Sequence, residues 1–395
     1  MNAPGGAKDF LVMAKPAGAR CNLACAYCYY LAKAGLFPGD GPPRMAEDLL
    51  AGYIRQRLES APGPAVHFEW HGGEPTLLGL EYFRRIVDLQ KAFRRPGLAV
   101  SNGLQTNGTL LDGAWARFLA AEGFSVGLSL DGPPWAHDPF RATRDGRPTH
   151  AEVVRAFRLL RAHGAHVDVL CVVHAGNAGA PGEVYGFFRD LGVTHLQFLP
   201  LVQPGAGRQA ANPEAVGRFL CAVFDRWIRH DLGRVVVQLF DEAFRTVCGL
   251  PHALCVFRET CGDVLVLEHE GSVFACDHFV DPEHRLGSLR DQPLAALAAG
   301  EPLARFGRRK RDALPARCRA CEVLAFCHGG CPKDRLEGPG PGEDGLNVLC
   351  PAYLRFFRHC RPALARVAAR WRDGRPLDAG PSGPGRGLEG KGRSR

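Results

Sequence analysis

From residue 10 to about residue 202, short apolar runs alternate with longer stretches in which apolar residues recur at three- and four-residue steps. The short runs predict strands at 10–13, 65–70, 99–104, 124–130, 166–173 and 195–201. Between them, sets such as Leu49/Leu50/Tyr53/Ile54, Tyr82/Phe83/Ile86/Val87 and Val153/Val154/Phe157/Leu160 predict amphipathic helices. That spacing gathers the apolar side chains onto one helical face. Strand followed by helix, about every thirty residues, predicts a parallel sheet with right-handed crossovers. Six units are too few to close an eight-stranded barrel. The expected fold class is therefore α/β, built on a partial, open (β/α)6 barrel.

The residues that follow each strand carry the chemistry. The first strand runs into a loop holding Cys21, Cys25 and Cys28, and the second into His71-Gly72-Gly73-Glu74-Pro75. The third continues into Gln105-Thr106-Asn107-Gly108-Thr109, the fourth into Asp131-Gly132-Pro133, the fifth ends at His174 and the sixth at Pro200. Parallel α/β barrels collect their sites at the C-terminal strand ends. Six such ends with small, polar or cysteine residues predict a site there, while the opposite ends look unremarkable.

Beyond the barrel, taken as residues 8–211, a helical connecting segment is expected over 212–250 and a small cysteine-rich α+β domain over 251–372. A hairpin is read in 264–276, with Cys276 and Asp277 just after its return strand. A last helix is read around 352–371. The Gly/Pro-rich 373–395 cannot bury a core and reads as a disordered tail.

Composition narrows the class without naming a function. The 395 residues include 48 glycines and 30 prolines, about a fifth of the chain, short of the roughly 25–30% that marks low complexity. The net charge of +8 is spread over single arginines and short pairs, which suits solubility and does not point to nucleic acid. No stretch approaches the ~18 apolar residues of a membrane span. The N-terminus lacks the layout of an export signal. A cytoplasmic protein with no membrane partner is expected.

The cysteines change the picture. There are fifteen, an odd number, in a chain with no export signal, so metal ligation is favoured over cross-linking. Cys21, Cys25 and Cys28 form one group. Cys255, Cys261, Cys276, Cys318, Cys321, Cys327, Cys331 and Cys350 crowd into a second region. Cys171, Cys221, Cys248 and Cys360 fall outside any ligand spacing and read as small buried hydrophobes. Thiolates select zinc or iron–sulfur centres. A closed zinc site needs four ligands, and the first group has three with no histidine near. Three thiolates on a four-iron cluster leave one iron open for chemistry.

These residues resemble a known family. CNLACAYCYY (21–30) looks like the cluster loop C-x3-C-x-aromatic-C of the radical S-adenosylmethionine (SAM) superfamily, with Tyr27 as the aromatic. HGGEP (71–75) resembles that superfamily's motif for the methionyl amino group. The later cysteines resemble the SPASM extension, which carries auxiliary clusters. SLDGP (129–133), LQFLP (196–200), C-x5-C-x14-C-D (255–277) and C-x2-C-x5-C-x3-C-x18-C (318–350) are similar to the anaerobic sulfatase-maturating enzyme family.

The resemblance implies three [4Fe-4S] clusters and SAM. Cys21, Cys25 and Cys28 would hold the catalytic cluster. Cys255, Cys261, Cys276 and Cys331 would hold the first auxiliary cluster, and Cys318, Cys321, Cys327 and Cys350 the second. Tyr27, Gly73, Ser129, Arg141 and Val202 fall on SAM-contacting positions, and Glu74 could accept from the SAM ammonium or be a solvated turn residue. Tyr30 and His71 fall on substrate-facing positions. His71 departs from the pattern, since the family often has Gln there. Asp277 matches the family's general base, and an adjacent anionic cluster should raise its pKa. The implied reaction is oxidation of a Cys or Ser side chain in a sulfatase, at a Cys/Ser-x-Pro-x-Arg type segment, to Cα-formylglycine. A 5′-deoxyadenosyl radical would take a Cβ hydrogen, and flavodoxin or ferredoxin would supply low-potential electrons. A SPASM enzyme acting on another peptide would keep the same cysteines, and a zinc-binding interaction protein would not need the open three-cysteine group.

Overall fold

The computed structural model describes residues 9–37, 41–202, 209–337 and 345–374. Most of the expected tail (375–395) lies outside the described residues. Six strands form as the alternation predicts: β1 (Leu11–Lys15), β2 (Ala65–Trp70), β3 (Ala99–Thr106), β4 (Ser125–Ser129), β5 (His166–Val173) and β6 (His195–Pro200). Each pairs in parallel with the next. In β2 and β5 buried residues alternate with half-buried or exposed ones. One face of the sheet therefore packs on helices, and the other lines a polar lumen.

The helices are held by their apolar faces. Glu47–Glu59 buries Leu49, Leu50, Tyr53, Ile54 and Leu58, and Tyr53 meets Phe68 and Trp70 edge-on. Each such side chain contributes about 1.5–3 kcal/mol when fully buried. Asp112 caps the helix Gly113–Ala121 by accepting from the Ala114 and Trp115 amides, each at 2.9 Å, which satisfies two donors that the helix itself leaves free.

The segment 212–250 holds helices Pro213–His230 and Gln238–Val247 with a two-residue strand between them, β7 (Val236–Val237), which extends the sheet beside β6. The hairpin forms as β8 (Val264–Glu268) and β9 (Ser272–Phe274), turning at Gly271 with φ +111°. It does not stand apart: β8 pairs in parallel with β1, and β10 (Arg285–Ser288) adds to β9. One ten-stranded sheet, ordered β10-β9-β8-β1-β2-β3-β4-β5-β6-β7, crosses the expected 250/251 boundary. Its register sets Lys15 opposite Glu268. The final helix, Cys350–Arg372, packs on Pro213–His230.

Candidate active site

The cysteine loop is clamped from both sides. The Gly73 amide donates to the Gly18 carbonyl and the Glu74 amide to the Arg20 carbonyl, both at 2.8 Å. A Cβ on Gly73 would stand 2.1 Å from the Arg20 carbonyl oxygen, so only glycine admits this approach. Across the loop, the Ala24 and Ala26 amides donate to the Ala142 and Phe140 carbonyls, each at 2.9 Å, and Arg144 Nε donates to the Cys21 carbonyl at 3.1 Å. Gly73→Ala is expected to destabilise the protein by about 1–3 kcal/mol and to strip iron from this loop first. An unchanged melting temperature and full iron content would contradict the contact.

Cys21, Cys25 and Cys28 line one cavity with Ala19, Leu23, Tyr30, Leu31 and Gly73. Burial pushes the Cys21 thiol up to about 12, and Cys25 and Cys28 add to the rise. Burial also raises Cys25, while the Arg141 guanidinium favours its thiolate. Asn107 Nδ2 donates to Asn22 Oδ1 at 2.9 Å and lies 3.8 Å from Cys21 Sγ, fixing the first thiol.

Of the positions expected to contact SAM, Gly73 lines this cavity, and Tyr27 and Arg141 lie near Cys25. Asp131, fully buried, accepts from Tyr27 Oη, from Arg141 Nε (2.9 Å) and from the Val172 amide (2.9 Å). Burial opposes its charge, but Arg141 holds the carboxyl below its usual range. Asp131 thus pins Tyr27 and Arg141, and Arg141 lies over the Tyr27 ring. Ser129 ends β4 and accepts from Gln105 Nε2 at 3.1 Å. Val202 lies just past β6, and its carbonyl receives Lys333 Nζ at 3.3 Å.

Glu74 is not a solvated turn residue. It is fully buried, with Oε1 accepting from the Thr76 amide and from the Thr76 and Thr106 hydroxyls, and Oε2 from the Asn107 amide at 2.7 Å. It ties two strand-end loops together, and Oε2, with one donor, keeps an acceptor position.

A second constellation forms where β1 meets β8. Asp277 receives Lys15 Nζ on Oδ1 and the Tyr29 hydroxyl on Oδ2. Lys15 is fully buried, and its ammonium stands 3.3 Å from the centre of the Tyr30 ring. The Tyr30 hydroxyl is used on Glu268. The Asp277 carboxyl stands between opposing influences. Burial would raise it, but Lys15, His71 and His278 hold the carboxyl well below the usual range. His71 Nδ1 is buried without a hydrogen-bond partner, and burial lowers that imidazole's pKa.

The eight later cysteines separate into two groups. Cys276 feels the charges of Cys331 and Cys255, Cys261 that of Cys255, and Cys331 that of Cys261. Cys318 feels Cys350 and Cys321, and Cys327 feels Cys318 and Cys350. The grouping tests what these thiols fit. Zn–S bonds of about 2.3 Å place tetrahedral sulfurs about 3.8 Å apart. Among the described residues, no three cysteine sulfurs close to within 4.8 Å of one another. A four-iron cluster spreads its ligand sulfurs over the corners of a larger body. Lys310 fits the same reading: it is buried, donates to the Cys255 and Val256 carbonyls at 2.8 and 2.9 Å, and faces Cys255, Cys261 and Cys331. It sets a positive charge beside a group of thiolates.

Residues 16–185 match the radical SAM superfamily, and residues 255–322 match the SPASM iron–sulfur cluster-binding domain. The chain is 37% identical over 375 residues to a serine-type anaerobic sulfatase-maturating enzyme of Bacteroides thetaiotaomicron, covering 90% of each chain. It belongs to the anaerobic sulfatase-maturating enzyme family. A cysteine-type member from Clostridium perfringens is 32% identical over 364 residues, covering 90% of this chain and 98% of that one. The structure of native anSMEcpe with bound AdoMet and Kp18Cys peptide superposes with a TM-score of 0.83 at 31% identity, covering 91% and 99% of the two chains. The chain is a radical SAM enzyme of the iron–sulfur class.

Within this sulfatase-maturating framework, sequence reasoning passed over Lys15, Tyr29, Asn107, Asp131 and Lys310. Asp131 and Asn107 stood inside motifs already singled out. Tyr29 was one residue from the tyrosine chosen, and the two lysines carried no local signal. No helix among the described residues is long and apolar enough to cross a membrane.

Proposed function

We propose that this enzyme oxidises a Cys or Ser side chain of a sulfatase polypeptide, in a Cys/Ser-x-Pro-x-Arg type segment, to Cα-formylglycine in the cytoplasm. A flavodoxin or ferredoxin would serve as electron donor. The observation that carries the reading is that an open three-thiol cavity and a buried, charge-held carboxylate sit at the same end of one sheet. Cys21, Cys25 and Cys28 would hold the catalytic [4Fe-4S] cluster, and the two later cysteine groups the auxiliary ones. When bound, the clusters and SAM supply the 5′-deoxyadenosyl radical that takes the Cβ hydrogen and the acceptor for the second electron.

The chain's own residues do the rest. Tyr27 and Arg141, pinned by Asp131, with Gly73, Ser129 and Val202, would shape the cofactor's seat, and Glu74 Oε2 would accept from its ammonium. Asp277 would take the proton from the substrate thiol or hydroxyl, as a base within hydrogen-bond reach must. Lys15 keeps that carboxylate ionised and aimed, and Tyr29 fixes its second oxygen. His71 and Tyr30 flank the same space and would meet the peptide.

Anaerobically reconstituted protein is expected to be brown and to hold roughly twelve irons per chain, four per cluster. About two equivalents of zinc without iron would overturn the assignment.

A further inference from the structure

The starts of β5 and β6 are not as unremarkable as the sequence made them look. His166, Asp168 and His195 bring one ligand atom each to within 4.8 Å of one another, and among the described residues no other His, Cys, Asp or Glu trio does so. His166 Nε2 lies 3.1 Å from Asp168 Oδ1, close to the ligand separation around a tetrahedral ion with bonds of about 2.0–2.1 Å. The two imidazole rings approach to 4.6 Å between centroids at 68°. His195 Nδ1 contacts Thr194 Oγ1 at 3.1 Å. That contact orients the ring and leaves Nε2 for a ligand role, as partners of metal-binding histidines do.

We propose that His166, Asp168 and His195 bind a divalent transition-metal ion of the zinc or nickel class, separate from the cysteine sites. Two imidazoles and one carboxylate suit such ions, and three protein ligands leave a position for water. The site is placed by the sheet. Val167 and Val169 are buried in the core, so Asp168 projects from the opposite face. The pairings Gly127↔Asp168 and Ser129↔Leu170 put Asp168 on the face of Ser129, nearer the strand starts. The ion therefore sits at the lumen end away from the cysteine loop. The His166 and Asp168 side chains are 47% and 43% exposed, so it exchanges with solvent. It joins two neighbouring strands and takes no part in the radical reaction.

The test uses the reconstituted holoenzyme, equilibrated with micromolar Ni2+ and assayed for nickel and iron in the same sample. The wild type is expected to take up one nickel per chain with its iron unchanged. His166→Ala/His195→Ala is expected to take up less than a tenth of that amount. The near-isosteric Asp168→Asn keeps the strand packing and is expected to weaken binding about ten-fold or more, with 5′-deoxyadenosine formation unchanged. Equal nickel in wild type and both variants, or nickel gained only as iron is lost, would overturn the site.

Discussion

Cys25→Ala is expected to abolish reductive cleavage of SAM, with 5′-deoxyadenosine below the detection limit and iron falling from roughly twelve to roughly eight per chain. Cys25 is one of three thiols on a single cavity wall. With two left, the loop cannot retain a four-iron cluster that also keeps an open iron. The auxiliary cysteines sit on different segments, between the Gln238–Val247 helix and the start of the Cys350–Arg372 helix, so their eight irons should remain. Undiminished 5′-deoxyadenosine from the variant would remove the loop from the chemistry.

Asp277→Asn is expected to separate the two half-reactions. Cofactor cleavage continues, while formylglycine formation falls by about 10²–10⁴-fold, the range of one general base. Lys15→Met gives the complementary result. In the wild type, Lys15 holds Asp277 well below the usual carboxylate range, so the base form persists at every pH near neutrality. A depressed carboxylate loses its charged form only as pH falls through the lowered value. Without the ammonium, burial dominates and the pKa rises, so peptide oxidation should fail at higher pH than in the wild type. Its acid limb should move toward neutral while SAM cleavage stays flat. Breaking a buried pair also costs about 3–5 kcal/mol, so the pH profile, rather than total activity, is the informative reading. An unmoved acid limb would show that Lys15 does not control the base.

The barrel was legible in the sequence because its signal is local. Each strand from β1 to β6 carries its own apolar run, and the intervening helices carry a one-sided apolar face. The β1–β8 pairing was not legible, since it joins residues some 250 positions apart and no local pattern reports it. That pairing is what brings Lys15 against Asp277. A lysine closing a strand reads as a solvated end, and here it is fully buried. The lowered carboxyl of Asp277 has the same origin, because the ammonium that faces it comes from β1. Glu74 fails similarly, because its partners Thr106 and Asn107 come from the end of β3 and the residue just after it. The His166–Asp168–His195 trio needs the β5–β6 pairing before its members meet.

The most direct test incubates reduced enzyme and SAM, without oxygen, with a sulfatase-derived peptide bearing Cys or Ser ahead of x-Pro-x-Arg, and weighs the product. A loss of about 18 Da from the cysteine peptide or about 2 Da from the serine peptide reports the aldehyde. It should appear in step with 5′-deoxyadenosine and react with a hydrazine probe. Cofactor cleavage with both peptides unaltered in mass, or bearing a cross-link in place of an aldehyde, would contradict the assignment.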